Sequence, residues 1–230
     1  MKTKFVVLIV LLIVESSLPQ LNWKWISPDP PVTQIFSSVV LDSVAYFNCY
    51  YSSVMKMDLY TEKVEMLSTY APQNCGFGYA NLQQLGFANS QIGYMAESCY
   101  GQYRTLDGGN TWTAVSSGQS NLRLVLFSTD KIGWLLGESG FYRTTNAGAN
   151  WVRKNAPFFA TGTFTKMFAL DSNRLWVLKS AVNDGNGASV WHSTNSGTNW
   201  NIVNTGLSSK PDSQVTFYDM KINTNGTGFI

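Results

Sequence analysis

The stretch RTLDGGNTW, residues 104–112, decides the fold: it is a run of small and polar residues that ends in tryptophan. Two similar stretches follow it, TTNAGANW at residues 144–151 and STNSGTNW at residues 193–200. All three fit the pattern Ser/Thr-x-Asp/Asn-x-Gly-x-x-Trp, and their tryptophans are 39 and 49 residues apart. Self-similarity at such a spacing indicates a repeat architecture in which each unit is one supersecondary structure.

The residues around each stretch repeat as well. Residues 122–152 read as four short strands: Leu122–Phe127, Ile132–Gly137, Gly140–Thr145 and a fourth that starts at Trp151. The units before and after have the same layout. Periods of about 40 to 50 residues with four strands each predict an all-β fold, a β-propeller built of four-stranded blades.

Both ends of the sequence carry parts of further units. Residues 34–70 form a degenerate unit whose last hairpin is Val54–Leu59 and Lys63–Leu67, and NWKWI (22–26) matches an outer strand. VTFYDMKINTNGTGFI (215–230) reads as a first strand, a turn and the start of a second strand. The sequence therefore predicts about four blades, as the N-terminal portion of a ring of about 6 to 8 that is incomplete at its C-terminus.

Residues 1–20 have the pattern of a secretory signal peptide. Two lysines precede the apolar run Phe5–Val14, and small and polar residues follow it. The prediction is an exported chain, periplasmic, at the outer cell surface or secreted, with residues 21–230 as the propeller domain and no transmembrane span after signal removal. In such a compartment Cys75 and Cys99 could form a disulfide, and three unpaired thiols are the equally open alternative.

Charge argues against a nucleic-acid partner. The 230 residues hold 16 basic and 14 acidic side chains, and residues 1–103 contain no arginine. A nucleic-acid-binding domain ordinarily carries a basic patch or stripe.

The acidic turn has three possible roles: a calcium loop, a catalytic carboxylate or a turn that shapes the backbone. A calcium loop of the EF-hand type needs more acidic ligands than this turn has. Asp107 is replaced by Asn146 and Asn195 in the other copies, and an amide accepts hydrogen bonds but cannot do acid–base work. The structural role is therefore predicted, with a positive φ at the glycine. The residues assigned to it are Thr105, Asp107, Gly109, Trp112, Thr144, Asn146, Gly148, Trp151, Ser193, Asn195, Gly197 and Trp200.

These turns resemble Asp boxes, also called BNR repeats, which occur in sialidases, sortilin-type receptors, xyloglucanases and the photosystem II stability/assembly factor family. The strings GWLLGESGFYRTTNAGANW (133–151) and WKWISPDPP (23–31) are most similar to the last family. The resemblance implies a non-enzymatic scaffold without metal or cofactor, whose partner is a protein or a cell-surface glycan. In the family the Asp boxes lie on the rim, away from binding sites.

A binding site is therefore expected on the opposite loop face, which collects the second-to-third and fourth-to-first connections. The candidate residues there are Glu97, Tyr100, Glu138, Phe158, Phe159 and Asp184. Ordinary solvent-exposed loops are the alternative reading of the same residues.

A glycosidase is the competing function. Sialidases need an arginine triad whose first member sits in an early F/Y-R-I-P motif, and this sequence has neither that motif nor an arginine before Arg104. A carboxylate-pair hydrolase using Glu97, Glu138 or Asp184 stays open. No catalytic residue is assigned. His192 recurs in register with Arg104 and Arg143 on the third strand, which favours a recurring solvent-facing or rim position for it.

Overall fold

The computed structural model describes residues 35–49, 53–67, 82–97, 102–115, 122–137, 140–157, 163–180, 188–203 and 219–229. Their regular structure is β-strand, arranged as four antiparallel four-stranded sheets in chain order and one two-stranded sheet. Among these residues no helix is long and apolar enough to cross a membrane.

Each four-stranded sheet is one blade. Blade 1 contains β1 (Ile35–Leu41), β2 (Val44–Cys49), β3 (Ser53–Asp58) and β4 (Val64–Met66). Blade 2 contains β5 (Leu82–Phe87), β6 (Gly93–Glu97), β7 (Gln102–Thr105) and β8 (Thr113–Ala114). Blade 3 contains β9 (Leu122–Phe127), β10 (Gly133–Gly137), β11 (Gly140–Thr144) and β12 (Val152–Lys154). Blade 4 contains β13 (Thr163–Ala169), β14 (Leu175–Ser180), β15 (Ser189–Ser193) and β16 (Asn201–Val203), and a fifth hairpin contains β17 (Lys221–Ile222) and β18 (Gly228–Phe229).

The predicted blade architecture is confirmed. The strands of blade 3 match the four predicted ones to within one or two residues, and the degenerate unit forms a complete blade 1. The turn predicted around residues 223–225 connects β17 to β18. Residues 1–34, with the predicted signal peptide and the outer strand at 22–26, lie outside the described residues, as do Cys75 and Cys99.

The first strands of successive blades contact one another, β1 with β5, β5 with β9 and β9 with β13. Side chains of these strands reach the next blade. The Leu85 amide donates to Ser37 Oγ at 3.3 Å, and the Val125 amide donates to Gln84 Oε1 at 2.7 Å. Hydrogen bonds as well as packing therefore hold the first strands of neighbouring blades together.

The apolar core lies between neighbouring blades. Trp134 and Leu136 of β10 pack with Val177 of blade 4, whereas Leu135 packs with Tyr94 and Leu122. Both faces of β10 are therefore buried, and every residue of Gly133–Gly137 is buried. A strand buried on both faces has a continuous apolar sequence instead of an alternating one, which explains the run GWLLG.

Candidate functional site

The first repeated turn is closed by its own side chains. The Thr105 hydroxyl donates to Asp107 Oδ1 at 2.7 Å and accepts the Gly109 amide at 2.8 Å. Asp107 Oδ1 also accepts the Thr111 amide at 2.9 Å, and Oδ2 accepts the Thr111 hydroxyl at 2.6 Å. The carboxylate therefore holds the two ends of the turn together.

The other two turns repeat these bonds with asparagine in place of aspartate. The hydroxyls of Thr144 and Ser193 donate to Asn146 Oδ1 at 2.9 Å and Asn195 Oδ1 at 3.1 Å. The same hydroxyls accept the glycine amides, Gly148 at 3.0 Å and Gly197 at 2.9 Å. Each asparagine oxygen then accepts the amide four residues on, Asn150 at 2.9 Å and Asn199 at 2.8 Å. The Oδ1 contacts of the carboxylate and the two amides are the same, and only the Thr111 hydroxyl bond to Asp107 Oδ2 has no counterpart, so the position serves the backbone.

Hydrogen bonding also sets the ionisation of Asp107. The Thr111 hydroxyl, the Thr111 amide and the Thr105 hydroxyl, in that order, lower the pKa of the Asp107 carboxyl to about 2. These donors favour the charged form because each one points at an acceptor oxygen. The group is therefore ionised at neutral pH and has no proton to donate to a substrate.

Asp107→Asn is expected to leave the free energy of unfolding at pH 7 within about 0.5 kcal/mol of wild type, because asparagine fills this position in the other two turns. The folded pKa of about 2 lies below the unfolded value. The carboxylate's contribution is therefore present above about pH 4 and is lost as pH falls towards the folded pKa. Urea unfolding at pH 7 and near pH 3 should show a smaller acid-induced loss in the variant. A large loss in the variant at pH 7 would contradict the structural role.

The predicted positive φ values are confirmed at the three glycines, with Gly109 at 93°, Gly148 at 77° and Gly197 at 79°. The residue before each of these glycines is also left-handed, which the repeated pattern did not indicate. Besides Gly108 at 71°, these residues are Ala147 at 54° and Ser196 at 60°. Two successive left-handed residues form the kind of tight turn that matches the twist of a hairpin.

Each repeated turn is bonded to the first-to-second turn of its own blade. The amides of Gly108, Ala147 and Ser196 donate to the carbonyls of Gln91, Lys131 and Asn173, each at 2.9 Å. We call each such pair of turns a turn clasp. The three clasps place both kinds of turn at the same end of the blade.

The repeated turns also bind the preceding blade. The Tyr94 hydroxyl of blade 2 donates to the Gly148 carbonyl at 3.0 Å, and Trp134 Nε1 of blade 3 donates to the Ser196 carbonyl at 3.4 Å. The Trp151 ring meets the Tyr94 ring edge-on with centroids 5.3 Å apart. The turns therefore join neighbouring blades.

An aromatic residue on the second strand faces a basic one on the third strand in every blade. The pairs are Tyr46 with Lys56, Tyr94 with Arg104, Trp134 with Arg143 and Trp176 with His192. The sequence analysis found the last three basic residues but missed Lys56, because blade 1 lacks the turn motif that aligns the others. His192 stacks on Trp176 with centroids 4.3 Å apart and planes 14° apart. His192 thus occupies the recurring third-strand position and is half-buried against Trp176.

The free energy of unfolding should fall as pH is lowered through about 6.5. Burial is the main cause that lowers the pKa of His192, and the nearby Arg174 charge lowers this pKa further. A depressed folded pKa gives a contribution that is present above the unfolded pKa and lost as pH falls through the folded value. Chemical denaturation at pH 7.5 and pH 5.5 measures this slope. His192→Gln cannot take up the proton and should show a shallower slope, and equal slopes in both proteins would exclude His192 as its source.

Most of the candidate binding residues lie outside the part of the chain that the structure describes. Tyr100, Glu138, Phe158, Phe159 and Asp184 lie outside the described residues, and of Glu97 only its place as the last residue of β6 is described. The strand ends that flank these segments, such as Glu97 and Gln102, lie at the end of the sheets opposite the turn clasps.

Thiol reactivity and metal binding are the two other kinds of chemistry to consider among the described residues. Burial raises the pKa of the Cys49 thiol to about 11, so this cysteine is protonated and unreactive at neutral pH. The described part of the chain holds no group of three or more His, Cys, Asp or Glu side chains that could bind a metal ion.

Comparisons with known proteins support the fold class. No family model and no curated protein sequence matches the chain. The structure of YCF48 from Cyanidioschyzon merolae is similar with a TM-score of 0.59 and 14% identity, over 88% of this chain and 67% of that one. The GH74 enzyme of Niastella koreensis is similar with a TM-score of 0.52 and 15% identity, over 73% of this chain and 30% of that one. The blades and these two likenesses define the chain as a β-propeller.

Proposed function

We propose that this chain is an exported, non-enzymatic β-propeller that acts as a protein-binding or assembly scaffold, similar to the photosystem II stability/assembly factor group. The observation that carries the proposal is the use of the repeated acidic position. The Asp107 oxygens accept hydrogen bonds within their own turn, and Asn146 and Asn195 make corresponding bonds. The most prominent acidic motif of the sequence is thereby explained by structure alone.

The three repeated turns are, on this proposal, Asp boxes. Their shared hydroxyl bonds to the glycine amide and to the Asp or Asn Oδ1 atom, and the left-handed glycine, support that identification. The turn clasps stiffen one end of the blades and leave the other end to variable connections. Functional residues in repeat proteins concentrate on such a loop face.

The partner is proposed to bind at the face opposite the clasps. The residues assigned to it are Glu97, Tyr100, Glu138, Phe158, Phe159 and Asp184. Aromatic residues are enriched in the buried core of protein interfaces, so Tyr100, Phe158 and Phe159 are the expected anchors. A cell-surface glycan is the alternative partner for the same residues, and it would give no protein adduct at position 100.

A secreted glycosidase is the second candidate. It is favoured by the fold likeness to the GH74 enzyme and by the three acidic residues predicted for the opposite face. A pair of carboxyl groups about 5 to 10 Å apart would be needed for hydrolysis.

A photo-crosslinking amino acid placed at Tyr100 tests the proposal, and the same substitution at Tyr60 is the matched control. Tyr60 is 87% exposed and lies in the turn after β3, at the clasp end of blade 1. In the source cells, an adduct with one protein, identified by mass spectrometry, is expected from position 100 and not from position 60. Equal adducts at both positions would contradict the assigned face. Hydrolysis of a xyloglucan oligosaccharide or a sialoside that is lost in Glu97→Gln or Glu138→Gln would establish the glycosidase instead.

A further inference from the structure

The hairpin β17–β18 has the local geometry of the first two strands of a blade. The Asn223 amide donates to the Thr227 carbonyl at 2.9 Å. The same bond closes the first-to-second turns of blades 2 and 3, from Ala88 to Ile92 at 2.8 Å and from Ser128 to Ile132 at 3.0 Å. Thr227 therefore corresponds to Ile92 and Ile132.

Side-chain packing gives the same register. A Cβ on Gly228 would collide with Ile222, as one on Gly93 would with Phe87 and one on Gly133 with Phe127. The last residue of the first strand thus covers the first glycine of the second strand in all three units. By this register Gly226 corresponds to Gln91, Lys131 and Asn173, the carbonyl acceptors of the turn clasps.

The Gly226 carbonyl is the acceptor of an unfilled clasp: no described residue donates a hydrogen bond to it. The carbonyls of Gln91, Lys131 and Asn173 each accept an amide from the turn between their own third and fourth strands. The bond expected at Gly226 therefore comes from a turn of the same kind.

A second group, in blade 4, has the register of the donors in blades 2 and 3. Trp176 is the second residue of β14, as Tyr94 is of β6 and Trp134 of β10, and those two side chains donate to the repeated turn of the following blade. Trp176 is 5% exposed and packs with Met220 and Ile222 of the fifth unit. By this register its indole N–H corresponds to the Tyr94 hydroxyl and to Trp134 Nε1.

We propose that Trp176 and the Gly226 carbonyl form a docking site for a β-hairpin whose turn has the pattern Ser/Thr-x-Asp/Asn-x-Gly-x-x-Trp. The amide before the turn glycine donates to the Gly226 carbonyl, and a carbonyl of the turn accepts the Trp176 indole N–H. The strand that precedes the turn pairs with the outer edge of β18. The glycine is required because in blades 3 and 4 a Cβ at this position would collide with the preceding blade.

The hairpin of blade 4, residues 188–203, is the probe because it carries this turn as Ser193–Trp200. A copy of it is appended to Ile230 through a short flexible linker, and thermal unfolding is measured. The copy should raise Tm by about 5 °C, since a partner that binds only the folded state stabilises it. The matched control is the same fusion with Gly197→Ala in the appended copy alone, which should give no rise.

A Trp176→Phe change in the body of the chain keeps the buried ring and removes the N–H donor. It should reduce the rise given by the intact copy while leaving the fold in place. A copy that gives no rise in Tm, or the same rise with alanine as with glycine, would overturn the proposal. Full retention of the rise in Trp176→Phe would overturn the assigned role of the indole.

Discussion

Gly197→Ala is expected to lower the free energy of unfolding by about 3 kcal/mol. Gly197 has a φ of 79°, and a Cβ there would collide with the Phe141 ring of the preceding blade. The left-handed backbone costs an alanine roughly 1–2 kcal/mol, and overpacking a filled core adds about 1–3 kcal/mol. Urea unfolding followed by tryptophan fluorescence measures the loss.

Gly226→Ala is the matched control for this prediction. Gly226 has a φ of 84°, close to that of Gly197, but no atom lies within 4 Å of the position its Cβ would take. This change should therefore show the backbone cost alone, about 1 kcal/mol. Equal losses at the two positions would mean that the Phe141 contact contributes nothing, contrary to the packing described for the repeated turns.

Trp134→Ala is expected to lower the free energy of unfolding by about 3 to 5 kcal/mol. Trp134 is the largest fully buried side chain among the described residues, and it fills the space between blades 3 and 4. The change removes this packing and the hydrogen bond from Nε1 to the Ser196 carbonyl. Calorimetric unfolding measures the loss.

Val152→Ala serves as the control, because Val152 lies on an outer strand and is 61% exposed. The free energy of unfolding of this variant should stay within about 0.5 kcal/mol of wild type. Trp134→Phe keeps most of the buried ring, so its loss of unfolding free energy should lie between those of Trp134→Ala and Val152→Ala. A loss below about 1 kcal/mol for Trp134→Ala would contradict the assignment of the core to the space between blades.

Most of the blade architecture could be predicted from the sequence, because each blade carries its own local signals. The pattern ending in Trp112, Trp151 and Trp200 marks the turn between the third and fourth strands. The left-handed glycines follow from turn chemistry, since glycine adopts a positive φ without steric cost. The short strands on either side then follow from the spacing of apolar runs.

Contacts between turns of one blade, and contacts between blades, could not be predicted in this way. Ala147 and Ser196 accept a left-handed backbone because their amides are held by the neighbouring turn, and nothing in their own chemistry indicates it. Gln84 reaches the Val125 amide, and Tyr94 reaches Gly148, across 41 and 54 residues of sequence. Such partners are set by the stacking of blades, for which a single sequence holds no pairwise signal.

The binding face was predicted from strand direction alone, and it remains a prediction. Alternating strands place Glu97 at the end opposite the turn clasps, but the shape of the connections there depends on loop residues that have no periodic pattern. The repeated turn was the easier problem because three copies could be compared. The substitution of Asp107 by asparagine in the other copies gave its role.

The most direct test asks whether the partner binds at the face opposite the turn clasps. Quantitative crosslinking through position 100 measures how much of the protein partner is captured by each of two variants. Asp107→Asn changes the first repeated turn, and Phe158→Ala with Phe159→Ala changes the opposite face. We expect full capture by Asp107→Asn and at least a tenfold loss of capture in the double variant, or about 1.4 kcal/mol. Loss of capture in Asp107→Asn with full capture in the double variant would contradict it, because the binding site would then lie at the turns.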